Sequence, residues 1–257
     1  MQTITSKDNA KLKAVRALVR SKKERQETSC FVMEGIRALN ALPAGSGLAS
    51  CKLKEVWVSD DQFALAEGFD VPVYAIPHDF MEQLSDCQTS QGLLGVVEYT
   101  PEALEINPEH GNYLLIDNLS DPGNLGTLIR SAAAFGFDGI LLHGDCVEVF
   151  NPKTVRATMG ALPFCRCWQT DDTAFTKLAE LGYDLISTVI TGGENLHEAT
   201  FGPKNVLVIG NEANGVSDAI QKRAIRHLSI PISGNVESLN AAVAGSIGMF
   251  SLMSQGE

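Results

Sequence analysis

The stretch YLLIDNLSDPGNLGTLIRSAAAFGFDGILLH, residues 113–143, decides how the second half of the chain folds. Tyr113–Asp117 is a short apolar run of the kind found in strands covered on both faces. A Pro122-Gly123 turn follows, then a helix predicted from Asn124 to Phe135 and a second apolar strand, GILLH. The alternation continues through a helix at 152–159, strand FCRCW at 164–168, a helix at 173–181, strands YDLIST at 183–188 and NVLVIG at 205–210, a short helix near Ser217, strand HLSIPI at 227–232 and a last helix over 238–253. Repeated βα units with apolar strands predict an α/β fold whose mainly parallel sheet is covered by helices on both faces. Such sheets bind ligands at the carboxyl ends of their strands.

Upstream, the apolar residues Leu12, Val15, Leu18 and Val19 recur at helical spacing from Asn9 to about Lys22, with basic residues between them. Short strands follow at 30–33, 55–59, 71–76 and 92–99, with helical segments at Gly35–Leu42 and Asp79–Leu84. This predicts a smaller α/β unit over residues 1–100. Residues 101–112, TPEALEINPEHGN from position 100, are acidic, proline-containing and without apolar period, and read as a linker to a second unit at 113–257.

A chain of 257 residues, 44% hydrophobic and 20% charged, can bury a proper core, which excludes a disordered or collagen-like protein. No run of about 18 apolar residues is present, and the opening MQTITSKDNAKLKAVR lacks an apolar signal core, so a soluble cytoplasmic protein without membrane partners is expected. The six cysteines, Cys30, Cys51, Cys87, Cys146, Cys165 and Cys167, are expected as reduced thiols. The C-x-C pair at 165 and 167 has no second pair or histidine to complete a zinc set, and no metal is expected. The five histidines show no spacing that suggests nucleophilic or metal chemistry and read as surface or structural groups. The net charge of −11 is unevenly spread: residues 1–38 carry +5 and the remainder −16. A polyanion would therefore dock at the amino end.

Three polar, glycine-containing segments follow strands of the second unit. Asp117–Arg130, DNLSDPGNLGTLIR, runs from a strand through a turn into a helix, with Asn124 near its start as a cap and Arg130 about one and a half turns later. Val208–Ser217, VIGNEANGVS, places Gly210 and Gly215 at P-loop spacing, but Val216 and Ser217 stand where a P-loop has its lysine, so a nucleoside-triphosphatase site is excluded. Ile230–Gly245 leads through Ser233-Gly234 to Ser238 and Asn240 at a helix start, and the small residues Ala241, Ala242, Ala244 and Gly245 allow that helix to pack closely. No G-x-G-x-x-G fingerprint supports a dinucleotide.

In this order and spacing, DNLSDPGNLGTLIRSAAAFG, VIGNEANGVS and IPISGNVESLNAAVAG resemble motifs 1, 2 and 3 of the SpoU (TrmH-like) RNA 2′-O-ribose methyltransferases of the SPOUT superfamily. NPKTVRATMGALP at 151–163 is similar to that family's segment between motifs 1 and 2, with Thr158 where a serine is more usual. ITSKDNAKLK, FVMEGIRAL and SQGLLGVVE resemble its L30e-like substrate-binding domain, so the resemblance covers nearly the whole chain. It implies a deep trefoil knot that builds an S-adenosyl-L-methionine pocket, and a homodimer whose subunits complete each other's sites. The cofactor loops would lie around Thr188, Gly210, Ile230 and Leu239, and the polar catalytic set would be Asn124, Arg130, Glu212, Ser238 and Asn240. The amino-terminal unit would hold RNA through Lys11, Lys13, Lys22, Lys23, Arg25 and Arg37, while Glu34 of FVMEG is expected to pair with a basic residue.

Methyl transfer to a ribose hydroxyl needs alignment and proton removal, and no metal. The resemblance gives Arg130 the central role, as base or as stabiliser of the forming alkoxide; stabilisation is the larger effect, because a guanidinium with a pKa above about 12 is a poor base. Asn124 would orient Arg130 or the ribose, and Glu212 would hold the arginine by a charge-assisted pair. Ribosomal RNA is the preferred substrate, since an appended L30e-like domain is typical of the ribosomal members. The alternatives are a transfer-RNA ribose methyltransferase and a non-catalytic ribosome-assembly factor.

Overall fold

In the computed structural model, which describes residues 1–42, 51–85 and 89–253, the basic amphipathic segment at the amino end forms two helices rather than one. α1 (Ala10–Arg20) starts at Asn9, whose side chain accepts the amides of Lys11 and Leu12. At Ser21 the backbone turns extended (φ −122°, ψ 115°), and its hydroxyl accepts the Glu24 amide to start α2 (Lys22–Thr28). One serine thus ends one helix and caps the next, which apolar spacing alone does not reveal.

These helices belong to the first of two compact units, Met1–Pro101 with Glu148–Phe164. Its other elements are β1 (Gln2–Thr3), β2 (Cys30–Glu34), α3 (Ile36–Ala41), β3 (Lys52–Ser59), β4 (Val73–Ile76), α4 (His78–Leu84), β5 (Leu93–Glu98) and α6 (Pro152–Ala157), while α5 (Pro122–Ala134) lies in the second unit. The sheet order is β1-β4-β3-β5-β2, with β4 parallel to β1 and β3, and β5 antiparallel to β2 and β3. Leu12, Val15 and Leu18 of α1 pack with Trp57, Tyr74, Ile76, Met81 and Leu84. Hydroxyls of Ser85 and Ser90 and the Gln91 amide donate to the Glu34 carboxylate, partners that the expected pairing with a basic residue did not include. Cys87 lies outside the described residues, and the described cysteines are free thiols.

The segment 148–164 lies between two strands of the second half of the chain, where the sequence places it in 113–257, yet it packs with the first unit. Phe150 stacks on Phe31 and Tyr99 at centroid distances of 4.7 and 4.0 Å. Arg25, expected to meet RNA, is instead 3% exposed and donates to both oxygens of Glu148 at 3.0 and 2.6 Å. Its Nη1 reaches the carbonyls of Leu18 and Val19 at the end of α1. Buried and paired in this way, the guanidinium is withdrawn from any phosphate, and Arg25 leaves the RNA-binding set.

The second unit, Glu102–Val147 with Cys165 onward, contains β6 (Gly111–Asp117), α5 (Pro122–Ala134), β7 (Gly139–His143), β8 (Cys167–Thr170), α7 (Asp172–Glu180), β9 (Asp184–Thr188), β10 (Glu194–Asn195), β11 (Lys204–Ile209), α8 (Asp218–Gln221), β12 (Arg226–Ser229) and α9 (Ala241–Met253). Its sheet, ordered β10-β12-β9-β11-β6-β7-β8, is parallel throughout, as the βα alternation predicts. β8 begins later than FCRCW suggests, because Leu162–Phe164 closes a single 3-10 turn around Pro163. The expected linker is also less free than its composition implies: Ile106 is buried, Lys177 donates to the Leu104 carbonyl, and the Tyr183 hydroxyl lies 2.8 Å from the carbonyls of Asn107 and His110. Among the described residues no helix is long and apolar enough to cross a membrane.

Removing one partner of the Arg25–Glu148 pair leaves a buried charge uncompensated. Glu148→Ala is expected to destabilise the first unit by about 3–5 kcal/mol in urea unfolding, with most of the loss recovered when Arg25→Met is added.

Candidate active site

β11 pairs with β6 in parallel register, Ile209 opposite Ile116. The turns that leave these strands are therefore neighbours, although 93 residues separate Asn118 from Asn211. On the far side of β11 stand β9 and then β12, with Leu228 opposite Thr188. Thr188, Gly210 and Ile230 thus sit at the carboxyl ends of three adjacent strands, and the Thr188 hydroxyl donates to the Val208 carbonyl at 2.9 Å. This is the edge at which parallel sheets hold ligands.

Motif 1 enters α5 differently from the expectation. Asp121 is the cap, its Oδ1 accepting the Asn124 amide at 2.7 Å, and Pro122 takes the first helical position. The side chain of Asn124 is therefore released from capping. Its Nδ2 donates to Glu212 Oε1 at 2.9 Å, and its Oδ1 accepts from Asn240 Nδ2 at 2.9 Å. Asn240 in turn caps α9, its Oδ1 accepting the amides of Ala242 and Val243. One amide thereby joins all three motifs.

Close helix packing supports that join. Ser131 and Ser246 hydroxyls meet at 2.7 Å, Phe135 and Phe250 make an edge contact, and a Cβ at Gly245 would come within 2.4 Å of Leu128 Cδ2. In motif 2, Asn211 and Gly215 exchange backbone hydrogen bonds of 2.9 Å, and Gly215 has φ +69°. A Cβ at Gly210 would lie 2.0 Å from the Gly215 carbonyl carbon, so this close approach admits glycine alone.

Burial works against the charge of Glu212, but hydrogen bonds from Asn124, from its own amide and from Asp121 and Ser120 outweigh it, and the carboxyl titrates below the ordinary glutamate value. The expected Glu212–Arg130 pair is not formed. Glu212 is already occupied by Asn124, Ser120 and the Asp121 amide, and Arg130 lies about 9 Å further along α5 than Asn124. Nor does Asn124 orient Arg130. The arginine is exposed, with no hydrogen bond or ion pair among the described residues. Ser238 is exposed and Leu239 half-buried in the loop before α9. Residues 230–239 make no backbone–backbone hydrogen bond among the described residues, so their polar groups are not committed to the sheet or to α9.

In the first unit, Lys11 lies over the Tyr74 ring at 4.5 Å, Lys13 pairs with Asp8 at 2.8 Å and Lys23 with Glu27 at 3.7 Å, while Lys22 and Arg37 are exposed. Two cations absent from the predicted set join them: Lys7 and Arg16 lie over Phe80 at 5.3 and 5.8 Å. Among the described residues no group of three or more His, Cys, Asp or Glu is arranged to hold a metal ion.

The family comparison agrees with this geometry. Residues 111–250 match the model of the SpoU rRNA Methylase family, and residues 9–95 match that of the MRM3-like substrate binding domain. The chain belongs to the SpoU rRNA Methylase family. It is 30% identical over 256 residues to the 23S rRNA (guanosine(2553)-2′-O)-methyltransferase of Bacillus subtilis, covering 98% of this chain and 99% of that one. It is 28% identical to the 23S rRNA (uridine(2479)-2′-O)-methyltransferase of Streptomyces viridochromogenes, covering 98% and 92%. The AdoMet-bound rRNA methyltransferase from Sinorhizobium meliloti superposes with a TM-score of 0.84 at 29% identity, over 97% of this chain and 96% of that one.

Because the Glu212 carboxyl is held down by its donors, the loop stability it contributes is present above the ordinary glutamate pKa and is lost as pH falls through the lowered folded value. A carbon-13 titration of the side-chain carboxyls should find Glu212 below the ordinary range in the wild type and shifted upward in Asn124→Ala.

Proposed function

We propose that this chain transfers a methyl group from S-adenosyl-L-methionine to a ribose 2′-hydroxyl of RNA, with ribosomal RNA as its substrate. The observation that carries the reading is the Glu212–Asn124–Asn240 chain, which gathers the three motifs of a ribose-methylase family at one sheet edge. Relatives that act on 23S rRNA over nearly their full length support the ribosomal choice. The cofactor, when bound, supplies an electrophilic methyl carbon on a sulfonium. It would be held by the loops around Thr188, Gly210, Ile230 and Leu239, largely through backbone groups.

The reaction is an in-line displacement, for which positioning supplies much of the rate. Arg130, exposed and unpaired, directs a permanent positive charge at the oxygen as negative charge develops, and the hydroxyl proton passes to water. Asn124, Glu212 and Asn240 hold the three motifs in register, and the exposed Ser238 completes the polar set.

RNA is gripped by the L30e-like unit through Lys11, Lys13, Lys22, Lys23 and Arg37, and we add Lys7 and Arg16, a reading supported by their placement over Phe80. Family membership supports a trefoil knot at the carboxyl ends of the strands, and an RNA substrate is in keeping with the cytoplasm. The working form is a homodimer. α9 is apolar around its whole circumference, yet Val243, Ile247 and Phe250, spaced on one face, are 47%, 38% and 54% exposed, as for a helix awaiting a second copy.

The test incubates methyl-labelled S-adenosyl-L-methionine with size-fractionated RNA from cells lacking the protein and identifies the product nucleoside by mass spectrometry. A 2′-O-methyl nucleoside in ribosomal RNA is expected; label in transfer RNA alone would overturn the substrate, and label on a base would overturn the reaction. Arg130→Ala should lower kcat by about a hundredfold or more while cofactor and RNA binding persist. Val243→Asp combined with Ile247→Asp should convert a dimer to a monomer in sedimentation equilibrium.

A further inference from the structure

Asp117, the last residue of β6, is 1% exposed and lies outside the predicted catalytic set. Two N–H donors and an imidazole nitrogen face its two oxygens. Ser217 N donates to Oδ2 at 2.8 Å, Asn118 Nδ2 donates to Oδ1 at 2.7 Å, and His143 Nδ1 lies 3.2 Å from Oδ1. An asparagine at 117 would turn its own NH2 against one of them, so the site calls for a group that only accepts. Next in the chain, the Asn118 carbonyl accepts Asn211 Nδ2 at 2.8 Å. Two consecutive residues at the end of β6 therefore tie down both ends of the loop 211–217, which carries Glu212 and begins beside Gly210.

The tie extends through His143. Its Nε2 lies 3.4 Å from Asp172 Oδ1, and Asp172 Oδ2 accepts from Arg223 Nη2 at 3.1 Å. Phe175 meets the His143 ring edge at 5.1 Å and the Arg223 guanidinium at 4.9 Å. Arg223 stands just beyond α8, which itself begins after Ser217. Asp117, His143, Asp172 and Arg223 thus alternate carboxylate and nitrogen group around a closed circuit from β6 to β7, α7, α8 and back to the loop. Such a circuit resists displacement of the loop as a body.

We propose that Asp117, seated by His143, is a positioning residue of the methyl-transfer site, holding loop 211–217 in the shape that receives the cofactor. The inference rests on the functional reading given above. Asp117 and His143 act through the loop and touch no reacting atom.

Amide hydrogen exchange in the cofactor-free protein reads the anchoring, and calorimetry with S-adenosyl-L-methionine reads its consequence. Asp117→Asn should speed exchange at Gly215 and Ser217 and weaken cofactor binding about tenfold, the scale of one mispaired buried hydrogen bond. The KM for the cofactor should rise in step, with the Kd for RNA little changed. Unaltered exchange and cofactor affinity in Asp117→Asn would overturn the proposal, as would a loss confined to kcat. Should Asp117→Asn fail to fold, His143→Gln carries the test, with the same split in a weaker form and partial rescue expected relative to His143→Ala. A wild-type chain that binds no S-adenosyl-L-methionine would overturn the functional reading and, with it, the cofactor role; accelerated exchange in the variant would then stand as loop anchoring alone.

Discussion

The pairing of β6 with β11, from Lys204 opposite Gly111 to Ile209 opposite Ile116, is the constraint on which the site depends. The chain lays β7 and β8 outward on one side of β6, then crosses back and places β9, β11 and β12 on the other. At such a reversal the connections diverge to opposite sides and leave a crevice above the strand ends. Tyr113–Ile116 and Val206–Ile209 are buried and apolar, so a slip in register would mismatch their packing on both faces and part Asn205 from Asn112, to which it donates. The hydrophobic core thus sets, to within a residue, where Asp117 and Gly210 emerge. Everything polar above them inherits that precision.

What stands above is joined by the side chain of Asn124. A carboxamide is the small group that both donates and accepts, and here it gives its N–H to a carboxylate of motif 2 and its oxygen to an amide of motif 3. Aspartate at 124 would face Glu212 with like charge, and leucine would leave Asn240 without its acceptor. The same geometry explains why Arg130 stays free. Glu212 is held by neutral donors from motif 1, and among the described residues Arg130 has no carboxylate partner.

Strand and helix positions in the second unit were legible because apolar runs and helical spacing state burial directly, and the motif segments were legible because turns, caps and close approaches each demand particular residue types. Partnerships between distant polar groups were not. Arg25 and Lys23 look alike in sequence, but one is buried against a glutamate 123 residues away and the other pairs in solvent with Glu27. His143 was unremarkable for the same reason, since its carboxylates stand 26 residues before and 29 after it. The capping of α5 by Asp121 rather than Asn124 turned on a single proline, which sets the first helical residue and leaves the asparagine two places inside. The attachment of 148–164 to the first unit depended on Phe150 and Glu148, residues with no periodic signature at all.

The distribution of charge then bears on selectivity. Residues 1–38 carry +5 while the remainder carries −16, so most of the chain repels a polyanion. Within the positive portion the burial of Arg25 removes one cation from the surface, and Asp8 and Glu27 share Lys13 and Lys23. The cations left with firm placement are those laid over aromatic rings, Lys7, Lys11 and Arg16 on Phe80 and Tyr74. A small, preordered positive face on an otherwise acidic protein gives little purchase to RNA that offers only phosphate, because each nonspecific contact adds to repulsion elsewhere.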